Sequence, residues 1–289
     1  MDRIENLGHS TIQHGPRSNR VYLMKLDRRD LPTIVAQLDD LAYRRGYTKL
    51  FAKVPADLAA DFITRDYRQE ASIPGFYQGK VGALFLSKYL DPARARPDDP
   101  NALAKVLALA HDRARSGQAN CTLPEGLSLI SCGPEHADEM SRVYQEVFPS
   151  YPFPIHDPAY LRETMTSHVD YFGVVKDERL IALSSAEMDL SGANVEMTDF
   201  ATLPAHRGQG LARCLLQEME TAMVKEGIRT AYTIARALSL GMNITFARGG
   251  YCFSGVLINN TQISGAIESM NVWHKCIISL PTELHSGSV

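Results

Sequence analysis

The sequence predicts an α/β protein with a mixed sheet flanked by helices, and three observations support that prediction. Apolar runs of strand length alternate with amphipathic helical stretches along most of the 289 residues. Hydrophobic residues make up 45% of the chain, which is enough for a sizeable core. Residues 195–227 join a strand to a helix through a glycine-rich turn, a connection that places backbone N–H groups around an anion.

The first 120 residues are expected to form an α/β region of their own, ending in a linker. Residues 1–19 are polar and predict a short leader or edge. Asp27 or Asp30 would cap the first helix, and Gly46 would end it. Prolines and charges make residues 91–101 typical of a linker. The other patterns predict strands at 21–26, 48–54, 68–76 and 81–90, and helices at about 30–45, 56–65 and 102–115.

Residues 121–289 are expected to form the second region, which carries the glycine-rich turn. Two prolines force an extended chain in the segment Tyr151-Pro152-Phe153-Pro154. The helix after the turn begins at Leu211 and stops at Gly227. The other patterns predict strands at 127–132, 169–176, 180–190, 195–203, 230–235, 252–258 and 271–280, and helices at about 135–147, 158–167 and 238–248.

Composition excludes several classes of function. A net charge of −3 gives no basic field for nucleic acid. No run of about 18 apolar residues could span a bilayer, and the polar N-terminus lacks a signal peptide's apolar core, so a cytoplasmic protein without a membrane partner is expected. Scattered cysteines without a C-x-x-C pair predict reduced thiols and no disulfide, and dispersed histidines predict no metal site. The cysteines are Cys121, Cys132, Cys214, Cys252 and Cys276.

The turn at residues 206–210 predicts a phosphate site. The turn directly precedes a predicted helix, whose buried face carries apolar residues every four positions. Because the turn lies at the N-terminus of this helix, backbone N–H groups and the helix dipole would converge on one point. Leu211-Ala212 stands where a P-loop needs Lys-Ser/Thr, which argues against a nucleoside triphosphate. Arg213 stands where a dinucleotide fingerprint needs its third glycine. A glycine turn that only caps an ordinary helix remains the alternative.

Arg207-x-x-Gly210-x-Ala212 resembles the R/Q-x-x-G-x-G/A motif of the GNAT superfamily of N-acetyltransferases, where the motif holds the pyrophosphate of acetyl-CoA. Residues 200–204, Phe-Ala-Thr-Leu-Pro, resemble the strand and exit proline that precede it. The resemblance implies a GNAT domain at 121–289 and acetyl-CoA as acetyl donor. It implies these cofactor contacts: Phe200, Ala201, Thr202, Arg207, Gly208, Gln209, Gly210, Leu211, Ala212, Ser239, Asn243 and Phe246.

The first region repeats part of the GNAT order of elements without a glycine-rich turn. Helix, strand, short helix, strand and strand follow one another in both regions. We therefore hypothesise that residues 21–90 are a degenerate half of the same fold, and an unrelated α/β cap is the alternative. Overlay of strands 48–54 and 230–235 tests the hypothesis.

Acetyl transfer to an amine needs a proton acceptor and stabilisation of the oxyanion. Glu196 stands at the start of the strand where GNAT enzymes often keep a base, and Asp199 would face the opposite side of a regular strand. Backbone N–H groups near Phe200 and Thr202 would polarise the thioester. GNAT proteins often carry a tyrosine acid where this chain has Phe246, so Tyr251, Tyr232 or Cys252 would fill that role, or the thiolate would leave unassisted.

Several segments resemble the β-lysine N6-acetyltransferase family across both regions. They are residues 73–79, 86–90, 198–202, 241–243 and 268–273. The resemblance implies acetylation of the terminal amine of β-lysine to give the compatible solute Nε-acetyl-β-lysine. The open alternatives are another amine (lysine, a polyamine or a peptide terminus) and a non-catalytic acyl-CoA-binding protein. The sequence leaves a homodimer open.

A substrate with two ammonium groups and one carboxylate calls for acidic side chains, a carboxylate donor and an aromatic wall. Asp199 and Glu268 are the expected ammonium partners, with Glu187 and Asp189 as further candidates. The candidates for the carboxylate and the wall are Asn271, Arg236, Trp273, Tyr151 and Phe153.

Overall fold

A computed structural model describes residues 2–115 and 121–278. In those ranges thirteen strands form one sheet in the order β1-β2-β3-β4-β6-β5-β12-β13-β11-β10-β9-β8-β7. The strands are β1 (Arg3–Leu7), β2 (Ser10–Gly15), β3 (Arg20–Lys25), β4 (Lys49–Pro55), β5 (Arg68–Tyr77), β6 (Val81–Tyr89), β7 (Leu127–Cys132), β8 (Val169–Lys176), β9 (Arg179–Asp189), β10 (Asn194–Thr202), β11 (Thr230–Arg236), β12 (Cys252–Ile263) and β13 (Ala266–Cys276).

Seven α-helices accompany the sheet in the described ranges, so the predicted α/β class is confirmed. They are α1 (Leu31–Arg45), α2 (Ala60–Ile63), α3 (Pro100–Arg115), α4 (Ala137–Val147), α5 (Pro158–Met165), α6 (Leu211–Lys225) and α7 (Leu240–Arg248). None of these helices is long and apolar enough to cross a membrane.

Each half of the sheet contains one parallel strand pair joined by a helix. In the first half β3 and β4 are parallel and α1 connects them; in the second half β10 and β11 are parallel and α6 connects them. All other strand pairs in the described ranges are antiparallel. The sheet is therefore mixed, as the order of elements predicted.

The two halves join where β5 meets β12. The register pairs Gly255 with Ala71, and Gly255 has φ +149°, where a Cβ would collide with the carbonyl oxygen of Glu70. Only glycine lets the two backbones approach this closely. The junction is thus a main-chain contact and not only a side-chain interface.

A buried polar cluster stabilises this junction from the side of the first half. Glu70 pairs with Lys49 Nζ at 3.2 Å and accepts hydrogen bonds from Ser87, Tyr89 and the Ile258 N–H. Lys49 Nζ also donates to the Ile258 carbonyl at 2.7 Å. Burial lowers the pKa of Lys49 to about 7, which Glu70 partly opposes. Both carboxylate oxygens of Glu70, on β5, therefore have partners, which come from β4, β6 and β12.

The sequence predicted most elements but not all of their limits. Helix α1 ends at Gly46 with φ +68°, as expected from a glycine cap. Of the two expectations for residues 1–19, the edge is the one observed, since residues 3–15 form β1 and β2 at one edge of the sheet. Asp2 and Asp30 accept hydrogen bonds from backbone N–H groups near these strands. The last hairpin is longer than expected and turns at Ser264-Gly265, so β13 begins earlier than residue 271.

Helix α3 packs on the second half of the molecule. Ala110 is fully buried in the same core cluster as the apolar face of α6 and as Phe246 of α7. The face predicted for α6 is confirmed, since Leu211, Leu215 and Met219 are at most 2% exposed. We propose a boundary before α3, within residues 90–99, in place of the one predicted at residue 120.

One disulfide corrects the prediction of reduced thiols. Cys121 and Cys214 are bonded, with their Cα atoms 5.1 Å apart. The bond ties the segment before β7 to the first turn of α6, and the Cys121 N–H also donates to Gln217 at 2.9 Å. The sequence could not reveal the pair, because 93 positions separate the two cysteines. Cys132, Cys252 and Cys276 are free.

Candidate active site

The sheet opens between the parallel strands β10 and β11. The two strands pair only from Asn194↔Thr230 to Glu196↔Tyr232 and then diverge. A cavity of about 560 Å³ occupies the gap. Residues 198–200 and Thr202 border it on one side and Thr233 to Arg236 on the other, with the start of α6 at one end. This cavity is large enough for an extended chain to pass between the strands.

A β-bulge turns Asp199 toward the cavity. The register of β10 against β9 runs from Thr198↔Ser185 to Ala201↔Leu183, so β10 contains one extra residue. Asp199 has φ +55°, a left-handed conformation that is uncommon outside glycine. The expectation that Asp199 faces away from Glu196 is wrong, because the bulge breaks the alternation of a regular strand. Both side chains line the same small cavity, described below.

The glycine-rich turn has the backbone geometry expected of an anion site. Gly208 has φ +80° and Gly210 φ +77°, and open space surrounds the position of a Cβ at each. Helix α6 begins directly after Gly210 and is 15 residues long, so its unpaired N–H groups and dipole point into the large cavity. Arg207 Nε donates to the Thr202 carbonyl at 3.2 Å, which holds the arginine at the entrance.

The structure brings most of the predicted cofactor contacts to the large cavity. Ala201 is instead 1% exposed in the core, Gln209 is exposed outside the cavity, and Asn243 is fully buried. The predicted contacts that do line the cavity are Phe200, Thr202, Arg207, Gly208, Gly210, Leu211, Ala212, Ser239 and Phe246.

Asn243, Asn271 and Trp273 form a hydrogen-bonded core cluster. Asn243 Oδ1 accepts from Asn271 Nδ2 at 2.8 Å and from Trp273 Nε1 at 3.0 Å, while Asn243 Nδ2 donates to the Ser239 carbonyl at 2.8 Å. The three side chains are at most 2% exposed and do not line either cavity. Contrary to expectation, Asn271 and Trp273 thus brace the start of α7 and do not face a substrate.

Two further predicted residues lie away from the cavities. Glu268 forms a two-point ion pair with Arg236, at 2.9 Å to Nε and 2.6 Å to Nη2, so its carboxylate is already satisfied. Tyr251 is buried beside Phe246, with ring centroids 5.2 Å apart, and its hydroxyl does not reach the large cavity. The structure therefore supports neither Glu268 as an ammonium ligand nor Tyr251 as an acid.

A smaller cavity of about 110 Å³ lies between the two halves of the molecule. Arg20, Tyr22, Phe51 and Lys53 line it from β3 and β4 of the first half. Strands β9 and β10 and the segment at 151–155 line it from the second half. The two cavities adjoin, since they share the lining residues Tyr151, Thr198, Asp199, Ile234, Ile263 and Met270.

Three carboxylates meet at the smaller cavity. Glu196 lies opposite Glu187 in the register of β10 against β9, and Asp199 follows on the bulge. Burial, the charge of Glu187 and that of Asp199 raise the pKa of Glu196 to about 7, although Lys53 and Tyr232 oppose the rise. A carboxylate with this pKa accepts a proton efficiently near neutral pH.

Asp199 is held more firmly than Glu196. Its Oδ1 accepts from the Tyr151 hydroxyl at 2.5 Å and its Oδ2 from the Ser185 hydroxyl at 2.6 Å. Burial raises the pKa of Asp199, but both hydrogen bonds favour its charged form. Asp199 therefore fixes Tyr151 and supplies negative charge, while Glu196 is the better proton acceptor.

Sequence reasoning missed the contribution of the first half to this site. Lys53 lies in a predicted strand and Arg20 directly precedes one, and only the packing of the halves shows that they line the same cavity as Glu187 and Glu196. The sequence signal that could have revealed this contribution was a cationic residue inside a largely apolar strand, as Lys53 is in β4. Across residues 2–115 and 121–278, no three His, Cys, Asp or Glu side chains are placed to hold a metal ion.

Comparison with known proteins agrees with this geometry. The acetyltransferase (GNAT) family model matches residues 137–241. The chain is 35% identical over 275 residues to the β-lysine N(6)-acetyltransferase of Methanococcus maripaludis, covering 95% of this chain and 99% of that protein. It is 30% identical over 259 residues to the enzyme of the same name from Methanosarcina mazei, covering 83% and 95%. It is 32% identical over 269 residues to the N-acetyltransferase YodP of Bacillus subtilis, covering 92% and 95%.

Proposed function

Because the chain belongs to the β-lysine N6-acetyltransferase family of GNAT proteins, we propose that it transfers the acetyl group of acetyl-CoA to the terminal amine of β-lysine. The observation that carries the proposal is the position of Glu196. Its carboxylate, with a pKa near 7, lies in an acidic cavity that adjoins the cavity at the phosphate turn. A diamine and an acyl-CoA could therefore meet at the bulge of β10.

The residues of the large cavity bind and orient the donor. The first turn of α6 and Arg207 hold the pyrophosphate, and the gap between β10 and β11 takes the extended arm that carries the thioester. Acetyl-CoA, when bound, supplies the activated acetyl group. Backbone N–H groups at the bulge, near Phe200, polarise the carbonyl and stabilise the oxyanion of the tetrahedral intermediate.

Glu196 acts as the general base. It takes a proton from the terminal ammonium, directly or through one water, and the neutral amine attacks the thioester carbon. The C–N bond forms, the C–S bond breaks, and the thiolate departs, while the attacking nitrogen loses its second proton to the thiolate or to water. Tyr251, Tyr232 and Cys252 do not line the large cavity, and Phe246 has no proton to give. The thiolate therefore leaves unassisted, which the moderate pKa of an alkyl thiol, about 8.5 for cysteine, permits.

The biological setting forms part of the same proposal. The reaction takes place in the cytoplasm, and its product, Nε-acetyl-β-lysine, serves as a compatible solute. The product would carry one positive and one negative charge, so its accumulation would leave the net charge of the cell unchanged. Measurement of the product in cells with and without the intact gene, at low and high salt, tests this setting separately from the chemistry.

CoA release by the purified protein tests the reaction. β-Lysine, α-lysine and spermidine are compared at equal concentrations of acetyl-CoA, and we expect β-lysine to give the highest kcat/KM. Mass spectrometry of the product locates the acetyl group on N6. Faster turnover of α-lysine or spermidine would contradict the proposed substrate, and acetyl-CoA binding without turnover of any amine would contradict the enzymatic function.

A further inference from the structure

Arg20 is a buried cation without an anionic partner among the described residues. It lies on β3 and is 4% exposed. Its Nη1 donates to the Asn260 carbonyl at 2.8 Å and its Nη2 to Gln13 Oε1 at 3.2 Å, while its buried Nε has no partner. No described Asp or Glu oxygen lies within the 4.0 Å of an ion pair. A buried charge left in this state is costly unless a ligand supplies the missing anion.

The guanidinium of Arg20 is also held in place at the smaller cavity. It lies over the rings of Tyr22 and Phe51, 5.1 Å and 5.6 Å from their centroids, and all three side chains line that cavity. Stacking fixes the plane of the guanidinium and leaves its edge for hydrogen bonds. The planar fork of an arginine matches the two oxygens of a carboxylate.

The two other cations near this site differ from Arg20, because Lys53 acts on Glu196 and opposes the rise in the pKa of that carboxyl, and Arg94 lies outside the cavity. Lys53 donates to the Tyr232 hydroxyl at 3.0 Å and faces the ring of Phe76. Arg94 binds the carbonyl oxygens of Asn259 and Ser18, and it does not line the smaller cavity. Arg20 is therefore the best candidate for an anion from outside the protein.

The opposite wall of the cavity is acidic. Glu187, Glu196 and Asp199 line it from the second half, whereas Arg20 and Lys53 line it from the first. A ligand that carries a carboxylate at one end and ammonium groups toward the other would satisfy both walls. A simple diamine would leave the charge of Arg20 unpaired.

We infer that Arg20 binds the carboxylate of the substrate, so that the first half selects an amino acid over a diamine of the same shape. The inference rests on the proposed acetylation of β-lysine and names the residue that recognises its acid group. The terminal ammonium then lies toward Glu196 and the second ammonium toward Glu187 or Asp199. Arg20 thus sets specificity, while the second half performs the chemistry.

The test compares β-lysine with 1,4-diaminopentane, which is β-lysine without its carboxyl group. We expect kcat/KM of the unaltered protein to favour β-lysine by ~100-fold, because a buried site rejects an analogue that leaves its charge unpaired. Arg20→Gln should reduce that ratio to about 1, mainly through KM for β-lysine, and Arg20→Lys should retain part of it. KM for acetyl-CoA should stay unchanged in each variant.

Two controls separate recognition from folding. Arg94→Gln removes a second buried arginine and should lower stability while the substrate ratio is retained. Lys53→Met should change kcat/KM for the two amines by the same factor. The inference is overturned if the unaltered protein accepts both amines equally, if Arg20→Gln and Arg20→Lys keep the ratio, or if Lys53→Met abolishes it. Absence of β-lysine turnover in the unaltered protein would instead overturn the proposed function.

Discussion

The two halves of the sheet have the same strand order but differ at the end of their parallel pair. Read from its outer edge inward, the first half runs β1-β2-β3-β4-β6-β5. Read the same way, the second half has one extra edge strand, β7, and then runs β8-β9-β10-β11-β13-β12. In the first half the four residues 20–23 pair with 49–52. In the second half pairing stops after three residues, a bulge follows, and the connection to the helix contains Gly208 and Gly210.

The difference indicates which features accompany the large cavity on this topology. The parallel pair alone leaves a closed surface, as β3 and β4 show, and this surface serves as one wall of the smaller cavity. Divergence, a bulge and a left-handed glycine turn are needed together for the large cavity. The shared order supports our proposal that residues 21–90 are a degenerate copy of half the catalytic fold. The proposal would be contradicted if strands 48–54 and 230–235 were superposed and the helices that follow them did not coincide.

The strongest contrast lies between two buried carboxylates, Glu196 in the second half and Glu70 in the first. Glu196→Gln removes the proton acceptor, and we expect turnover to slow by about 10²–10⁴-fold with KM for acetyl-CoA unchanged. For the unaltered protein kcat/KM should rise about tenfold per pH unit below pH 7 and level off above it, since the base must be deprotonated. Steady-state kinetics from pH 5.5 to 9 measure both.

Glu70→Gln is the matched control for that substitution, because its carboxylate is fully engaged within the fold. Per folded molecule, the turnover rate and the pH profile should stay the same. Two outcomes would contradict this division of roles between the halves. In one, Glu70→Gln slows turnover ~100-fold; in the other, the pH profile of Glu196→Gln matches that of the unaltered protein.

The same two substitutions should change stability in opposite directions. Loss of Glu70 leaves Lys49 without its ion-pair partner, so the free energy of unfolding should fall by about 3 kcal/mol. The folded-state pKa of Glu196 is raised from 4.5 to about 7, so its charge destabilises the fold increasingly as pH rises through that interval. Glu196→Gln should therefore gain about 1–3 kcal/mol at pH 8 and nearly nothing at pH 4.

Urea unfolding at the two pH values measures these differences. The unaltered protein serves as reference at each pH, so that titration of other groups cancels. A gain for Glu196→Gln that is larger at pH 4 than at pH 8 would show that its charged form is not destabilised in the fold.

The smallest contrast concerns two glycines with the same backbone conformation. Gly46 has φ +68° and Gly210 φ +77°, and no atom lies within 4 Å of a Cβ built at either. Alanine at either position should cost about 1 kcal/mol of stability. Only Gly210 lines the large cavity, so Gly210→Ala should also raise KM for acetyl-CoA by roughly tenfold, about 1.4 kcal/mol of binding energy.

Thermal unfolding and initial-rate kinetics on both alanine variants test this pair. We expect both variants to lose the same amount of stability and only Gly210→Ala to change KM for acetyl-CoA. If Gly46→Ala changed KM for acetyl-CoA as much, the effect would come from the fold as a whole and not from the phosphate turn.

Local patterns predicted the elements of the fold and the phosphate turn, because periodicity and glycine placement act over a few residues. Asp199 shows where such reasoning ends: its bulge depends on how β10 pairs with β9, which the residues of β10 do not determine. The pairing of Cys121 with Cys214 and the approach of Arg20 to the acidic wall likewise arise only after distant segments pack. Asn271 and Trp273 lie in a segment that resembles the family, yet their partner is a buried amide.

The position of the smaller cavity at the seam between the halves has a practical consequence for protein engineering. In the proposed mechanism the turn before α6 recognises the donor, whereas β3 and β4, which do not line the large cavity, form one wall of the acceptor pocket. Libraries of substitutions confined to β3 and β4 would therefore alter which amine is accepted and leave use of acetyl-CoA intact. A single chain thus offers two independently adjustable recognition surfaces, joined by one sheet.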